Sequence, residues 1–169
     1  AQAMRDYGAD VIRVDADYDE SVRIARQESE DNGWFVVSDT SWEGYTIPPL
    51  DVMAGYGVMA DEIQEQNPEA PTHMLIQAGV GGVAAAMTAR LRQNYGDSIR
   101  VVVVEPELAG CIFESGKEGR ATTVPVHEET LMAGLSCGEP SSLAWEILSE
   151  EVGDFIMIPE SIVGPAMRL

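Results

Sequence analysis

Basic residues are scarce in this chain of 169 residues, which has ten lysines and arginines against 29 acidic residues. Only one of the ten is a lysine, Lys117. The formal net charge of −19 repels polyphosphate, so we expect no nucleic acid and no anionic membrane as a partner. No run approaches the roughly 20 apolar residues that cross a bilayer, and residues 1–10 lack the pattern of a signal peptide. These absences predict a soluble, cytoplasmic protein.

Cysteine is scarce as well. Cys111 and Cys137 are the only two, and neither a CxxC motif nor a nearby histidine pair accompanies them, which makes a poor zinc site. We predict no metal and two reduced thiols, because a cytosolic address disfavours disulfides. Sequence spacing alone leaves a disulfide between the two cysteines open.

Apolar, β-branched runs alternate with helical patterns, which is typical of an α/β domain with a parallel twisted sheet flanked by helices. The predicted strands are 11–14, 34–37, 73–77, 100–104, 123–126 and 155–158. The predicted helices are 19–31 with Asp19 as N-cap, 50–66 closed by Asn67 and Pro68, 83–94 and 142–150, with a polar turn at 115–120. The predicted strand 100–104 is apolar without interruption from Val101 to Val104, which indicates a strand covered on both faces.

The strongest local signal is the segment 73–87, HMLIQAGVGGVAAAM, in which a strand runs into a glycine-rich turn and then a helix. Without Cβ atoms, the backbone at Gly79, Gly81 and Gly82 can approach an anion closely. The unpaired N–H groups at the start of the following helix would point at that anion. The segment predicts a phosphate-binding loop, although tight packing of the helix on the strand would favour the same glycines.

The loop does not name its ligand by itself. Gly79, Gly81 and Ala84 fit the dinucleotide pattern GxGxxA, and Glu105 ends the next strand about where a ribose-binding acid would lie. An NAD-dependent oxidoreductase is therefore one alternative, although that fingerprint normally occupies the first βα turn of its domain. A non-catalytic, anion-binding fragment is another.

A second signal is the segment 38–45, SDTSWEGY, directly after the predicted strand 34–37. Ligands of open parallel sheets lie beyond the carboxyl ends of the strands, so Asp39 is placed to face the same site as the glycine loop. The rings of Trp42 and Tyr45 would partly desolvate its carboxylate and suit it to act as an acid or base. Capping of the local turn is the alternative role for Asp39, and the sequence does not decide between the two.

A third signal is the segment 131–142, LMAGLSCGEPSS, where Gly134, Gly138 and Pro140 fix an irregular path before a helix. Small residues at these positions would let a flat ring approach the backbone. Turns of this composition also connect many α/β elements without binding anything.

The strings SDTSWEGY, QAGVGG, VVVVEPE and AGLSCGEPSSLAWEIL, in this order, resemble the diaminopropionate ammonia-lyase family. This family belongs to the fold-type-II pyridoxal-phosphate enzymes, which include tryptophan synthase β and threonine deaminase. The resemblance covers essentially the whole chain. It implies pyridoxal 5'-phosphate as cofactor, a small amino-acid substrate and elimination of ammonia from 2,3-diaminopropionate to give pyruvate. It also implies a homodimer and a role in amino-acid catabolism.

The resemblance further implies a role for each candidate residue. Asp39 would be the active-site carboxylate, acting as a base at the substrate Cα or assisting loss of the β-amino group. The backbone would contact the cofactor at six positions, namely Gly79, Val80, Gly81 and Gly82 at its phosphate and Gly134 and Leu135 at its pyridine ring.

The chemistry of this family requires a lysine amine that binds the cofactor carbonyl. Relatives hold that lysine upstream of the position of Ala1, whereas Lys117 lies in the polar turn ESGKEG and is expected to be a solvated surface residue. We therefore expect both ends to be cut and the isolated chain to be inactive. Residues 1–18 would be a remnant of a small domain, and residues 19–169 an incomplete large cofactor-binding domain.

Overall fold

The computed structural model describes residues 1–67 and 69–169, so Pro68, predicted to help close a helix, lies outside the described residues. The chain forms two compact units, residues 1–36 and residues 37–169. The boundary between the two units lies between residues 36 and 37, whereas the predicted domain boundary lies between residues 18 and 19. The assignment of residues 1–18 to a small domain stays a prediction.

The first unit is helical, with α1 at Gln2–Asp6 and α2 at Tyr18–Asn32. Asp17, and not the predicted Asp19, caps α2, because its carboxylate accepts a hydrogen bond of 2.8 Å from the N–H of Glu20. Gly33 ends the helix in the left-handed region, with φ of 67°.

The strands predicted at 11–14 and 34–37 are wrong, since neither segment pairs with a strand in the described part of the chain. Their apolar side chains are largely exposed, with Ile12 at 76% and Phe35 at 80%. A β-branched or aromatic run becomes a strand only when a neighbouring strand accepts and donates its backbone hydrogen bonds. The local pattern alone was therefore not enough to predict these two strands.

The second unit contains a parallel sheet of three strands in the order β1, β2, β3, which span His73–Gln77, Arg100–Pro106 and Asp154–Ile158. Leu75 lies opposite Val102, and Val104 lies opposite Ile156. Helices connect successive strands, as parallel pairing requires. The predicted α/β class with a parallel sheet flanked by helices is confirmed.

The helices of this unit are α3 at Ile47–Gln66, α4 at Gly82–Tyr95, α5 at Cys111–Glu118, α6 at Ser142–Glu151 and α7 at Glu160–Ala166. Short 3-10 turns occupy Gly96–Ser98 and Ala133–Leu135. Helices α3, α4 and α6 confirm the predicted helices, with small shifts at their ends. The strand predicted at 123–126 is wrong, because in the described chain this segment joins no sheet.

Helix α5 replaces the polar turn predicted at 115–120. Gly116 lies inside this helix, where the lack of a side chain permits a close approach, since a Cβ at this position would lie 2.6 Å from the ring of Phe155. The helix ends where Gly119 takes a left-handed φ of 68°.

Helix α4 lies at the centre of the core. Ala84 and Ala85 are fully buried, and their small side chains let neighbouring helices and the sheet approach closely. A helix that is buried on most sides is held firmly in place. The core around it contains Met53, Ala60, Ile76, Met87, Leu91, Val101, Val103, Ile112, Ala144 and Leu148. The start of α4, where the glycine loop lies, is thus fixed by the core.

One face of the sheet remains open in the described residues. Leu75 is 67% exposed and Ile156 is 40% exposed, whereas Val101 and Val103, which point to the other face, are buried. The prediction that β2 is covered on both faces is therefore wrong for the described residues.

No helix among the described residues has the length and apolarity needed to cross a membrane.

Candidate functional site

The glycine loop, residues 79–82, joins β1 to α4. Sheet pairing continues one residue past β1, where the N–H of Ala78 donates to the carbonyl of Val104 at 3.0 Å, and the backbone then leaves the sheet. In the part of the chain that the structure describes, no protein acceptor takes a hydrogen bond from the N–H groups of residues 79–82. These groups lie at the positive end of α4, so the loop presents four donors suited to an anion.

Two of the glycines are required by close contacts. Gly81 has a left-handed φ of 97°, and a Cβ there would lie 3.1 Å from Cδ1 of Ile112 and 3.2 Å from Cδ1 of Leu148. A Cβ at Gly79 would lie 3.2 Å from Sγ of Cys137. The loop is therefore enclosed by other elements, and a side chain at either position would displace them.

The third predicted segment lies directly against this loop. A Cβ at Gly79 would be 3.3 Å from the carbonyl oxygen of Gly134 and 3.4 Å from Cα of Leu135. Gly134 itself is exposed, and nothing lies within 4 Å of a Cβ built on it. Gly134 and Leu135 therefore lie next to the glycine loop, with the outer side of Gly134 open, and their contact with the cofactor ring stays a prediction.

Asp39 also lies beside the loop, since its carbonyl oxygen is 3.7 Å from the place of a Cβ at Gly82. Its side chain is exposed in the described chain, so the predicted desolvation by Trp42 and Tyr45 is wrong. Those two rings stack on each other instead, with centroids 4.1 Å apart and planes at 14°. The N–H of Ser38 donates to the Tyr45 hydroxyl at 2.9 Å and closes the turn that carries Asp39.

Buried hydroxyl groups join the three segments. The hydroxyl groups of Ser41 and Ser141 lie 2.7 Å apart, and the N–H of Ser41 donates to the Ser141 hydroxyl at 3.1 Å. The Ser41 hydroxyl accepts from the N–H of Leu143 at 2.9 Å, in the first turn of α6. The N–H of Ser141 donates to the carbonyl of Val80 at 2.9 Å. One chain of hydrogen bonds thus runs from the Asp39 segment to the glycine loop.

Glu105 does not lie where a ribose-binding acid is needed. It is 1% exposed, and its carboxylate accepts hydrogen bonds from the N–H of Ile112 at 3.0 Å and of Phe113 at 2.5 Å. Burial raises the pKa of Glu105 to about 7, against the opposing effect of those two N–H groups and of the Cys111 thiol. Glu105 is therefore not available to bind a ribose, and the expectation that it lies at a dinucleotide site was wrong.

The remaining polar candidates are structural. Cys111 and Cys137 are buried and form no disulfide in the described part of the chain, and Sγ of Cys111 donates to the carbonyl of Gly79 at 3.4 Å. Lys117 is exposed and pairs with Glu114 at 3.0 Å, so its prediction as a surface residue is confirmed. Among residues 1–67 and 69–169, no group of three His, Cys, Asp or Glu side chains is placed to hold a metal ion.

Comparison with known proteins agrees with this geometry. The family described as pyridoxal-phosphate dependent enzyme matches residues 1–169, and the chain belongs to that family. Within it, the chain is 42% identical over 171 residues to diaminopropionate ammonia-lyase of Escherichia coli K12, with 99% of this chain and 43% of the relative covered. The enzyme of the same name from Salmonella typhimurium LT2 is 34% identical, with 100% and 44% covered.

Solved structures show the same likeness. Diaminopropionate ammonia-lyase from E. coli in complex with D-serine superposes with a TM-score of 0.85 at 40% identity, covering 95% of this chain and 41% of that one. Maize serine racemase, at 22% identity and a TM-score of 0.80, shows the fold alone. The chain spans less than half the length of the ammonia-lyases that it matches. The predicted resemblance and the fold-type-II architecture are confirmed.

Proposed function

We propose that this chain is the cofactor-phosphate-binding part of a pyridoxal-phosphate-dependent ammonia-lyase that acts on 2,3-diaminopropionate. The observation that carries the proposal is the set of four N–H groups at residues 79–82, which have no protein acceptor in the described chain and lie at the start of α4. The identity of 42% to an ammonia-lyase of that specificity supports the substrate.

The residues present fit the cofactor. Four N–H groups at a helix N-terminus match a phosphate group. The glycines at 79 and 81 let the loop that carries these groups pack closely against its neighbours. Gly134 and Leu135 would border the pyridine ring, because they lie against Gly79 and the outer side of Gly134 is open. When bound, pyridoxal phosphate supplies an electron sink for the negative charge that develops at the substrate Cα.

Asp39 would carry the proton transfers. Its backbone lies beside Gly82, and its carboxylate is exposed at the edge of the glycine loop. We propose that Asp39 takes the proton from the substrate Cα or assists the departure of the β-amino group as ammonia. The product enamine then hydrolyses to pyruvate and a second ammonia.

We propose that the lysine that binds the cofactor carbonyl is not Lys117. Lys117 is exposed on α5 and paired with Glu114, which leaves it unsuited to that task. We propose that this lysine belongs to a part of the protein corresponding to the portion of the relatives that this chain does not span. We also propose a cytoplasmic homodimer that serves amino-acid catabolism.

The test is to mix the complete protein that carries this chain with pyridoxal phosphate and each stereoisomer of 2,3-diaminopropionate. We expect visible absorbance from the bound cofactor and release of pyruvate, measured with a coupled lactate dehydrogenase assay. D-Serine and L-threonine serve as comparison substrates. A protein that binds the cofactor but prefers threonine would refute the substrate, and one that leaves the cofactor unbound would refute the whole proposal.

A further inference from the structure

We propose that Glu105 is a positioning residue for the glycine loop, which it holds in its anion-binding shape through the first residues of α5. Glu105 touches no group assigned to the cofactor or the substrate, so it acts through Cys111 and Ile112. The proposal rests on the proposed function for the identity of the anion, and on the hydrogen bonds below for the positioning itself.

Glu105 acts first as the cap of α5. The first N–H groups of a helix have no acceptor within it, and a side chain at the N-cap usually supplies one. The N-cap of α5 is Gly110, which has no side chain, and a Cβ there would lie 2.5 Å from Sδ of Met157. The two carboxylate oxygens of Glu105, at the end of β2, accept from Ile112 and Phe113 in place of an N-cap side chain.

The first two residues of α5 then contact the glycine loop. Sγ of Cys111 donates to the carbonyl of Gly79 at 3.4 Å. Cδ1 of Ile112 would lie 3.1 Å from a Cβ at Gly81. Both side chains are fully buried. A change in the first turn of α5 therefore reaches the loop through two contacts.

Peptide geometry converts these contacts into donor directions. In a trans peptide unit the carbonyl of one residue and the N–H of the next lie in one plane and point in opposite directions. Holding the carbonyl of Gly79 on Cys111 therefore fixes the direction of the N–H of Val80. In the same way, the hydrogen bond from Ser141 to the carbonyl of Val80 fixes the direction of the N–H of Gly81. Glu105 thus controls the direction of a backbone N–H group, that of Val80, which would donate to the phosphate and which Glu105 does not contact.

The test compares Glu105→Gln with variants of Cys111 in the complete protein, prepared without cofactor. Glutamine keeps the shape of glutamate but turns a donor toward one of the two N–H groups of α5. We expect the Kd for inorganic phosphate to rise about tenfold, as befits the loss of one hydrogen bond. Hydrogen–deuterium exchange at residues 79–82 should become faster.

Cys111→Ala should cause part of the same loss, and Cys111→Ser, which retains a donor, should bring the affinity back toward the wild-type value. The double variant Glu105→Gln with Cys111→Ala should lose no more than the larger single loss, because both act through one path. Ile99→Val is the matched control, since Ile99 is buried just before the opposite end of β2. It should lower the melting temperature without altering the phosphate Kd or the exchange of residues 79–82.

Two results would overturn the proposal, namely wild-type phosphate affinity and loop exchange in Glu105→Gln, or additive losses in the double variant. If Glu105→Gln does not fold, the Cys111 variants carry the test, and unchanged loop exchange in Cys111→Ala would overturn it. If the wild-type protein binds neither phosphate nor pyridoxal phosphate while Glu105→Gln still accelerates loop exchange, the positioning role stands and the proposed function fails.

Discussion

The glycine loop at 79–82 and the segment 38–45 lie side by side but keep their shapes by different means. The glycine loop is held from outside by buried side chains of α5 and α6 and by the segment around Gly134. The segment 38–45 is closed by its own hydrogen bonds and aromatic stack, and buried serines attach it to α6. The anion site thus depends on the core, whereas the candidate acid or base sits on a self-contained turn.

Substitution of Gly81 should give the largest effect, because the glycine loop has no room to adjust. Gly81→Ala places a Cβ at φ of 97° and against Ile112, Ala144 and Leu148. We expect a loss of roughly 2–6 kcal/mol in the free energy of unfolding, together with loss of phosphate binding. Urea denaturation and phosphate titration measure the two. Gly153→Ala is the control, since nothing lies within 4 Å of a Cβ there.

Substitution of Asp39 should separate function from stability. Asp39→Asn in the complete protein should lower kcat for 2,3-diaminopropionate by about 100- to 10,000-fold, as is typical of acid or base groups. The melting temperature should stay the same, because the side chain is exposed. Glu43→Gln, in the same turn, is the matched control and should retain activity. An unchanged kcat in Asp39→Asn would show that Asp39 is not the acid or base and would favour its alternative role as a cap of the local turn.

The pH dependence of stability should reveal Glu105 beneath the glycine loop. The folded-state pKa of Glu105, about 7, lies above the ordinary glutamate pKa of 4.5 that applies in the unfolded chain. The neutral carboxyl therefore contributes stability that is complete below about pH 4.5 and is lost as the pH rises through about 7, up to about 3 kcal/mol. The free energy of unfolding of wild type relative to Glu105→Gln should fall over this range. A constant difference would contradict the raised pKa.

Removal of the Ser41 hydroxyl should test the attachment of the segment 38–45. Ser41→Ala leaves the N–H of Leu143 and the hydroxyl of Ser141 without this partner, which should cost about 1–3 kcal/mol of unfolding free energy. Ser149→Ala removes an exposed hydroxyl and should change stability by less than about 0.5 kcal/mol. Equal effects in chemical denaturation would show that the Ser41 attachment contributes little.

Where the sequence pattern is local, prediction succeeded. The strand 73–77, the glycine turn and the helix after it follow from apolar runs, glycine spacing and alanine content within a few residues. The strand-end rule was applied to Asp39 from a strand at 34–37 that does not form, and Gly134 was assigned to the cofactor only by the family resemblance. Both segments nevertheless lie next to the glycine loop.

Where partners are distant, prediction failed. The runs 11–14 and 34–37 have strand-forming residues but no pairing strand among the described residues. The contact between Ser41 and Ser141 joins positions 100 residues apart and leaves no periodic signal. Glu105 was misread because a strand-end acid has the same sequence pattern whether it faces a ribose or caps a helix.

The separation in sequence of these contacts bears on the order in which the domain assembles. Glu105 reaches Ile112 across only seven positions, whereas Ser41 reaches Ser141 across 100. Closing a short loop costs less chain entropy than closing a long one. The contact between the end of β2 and the start of α5 is therefore suited to form early in folding. The elements that support the glycine loop would then be in place before the turn that carries Asp39 packs against them.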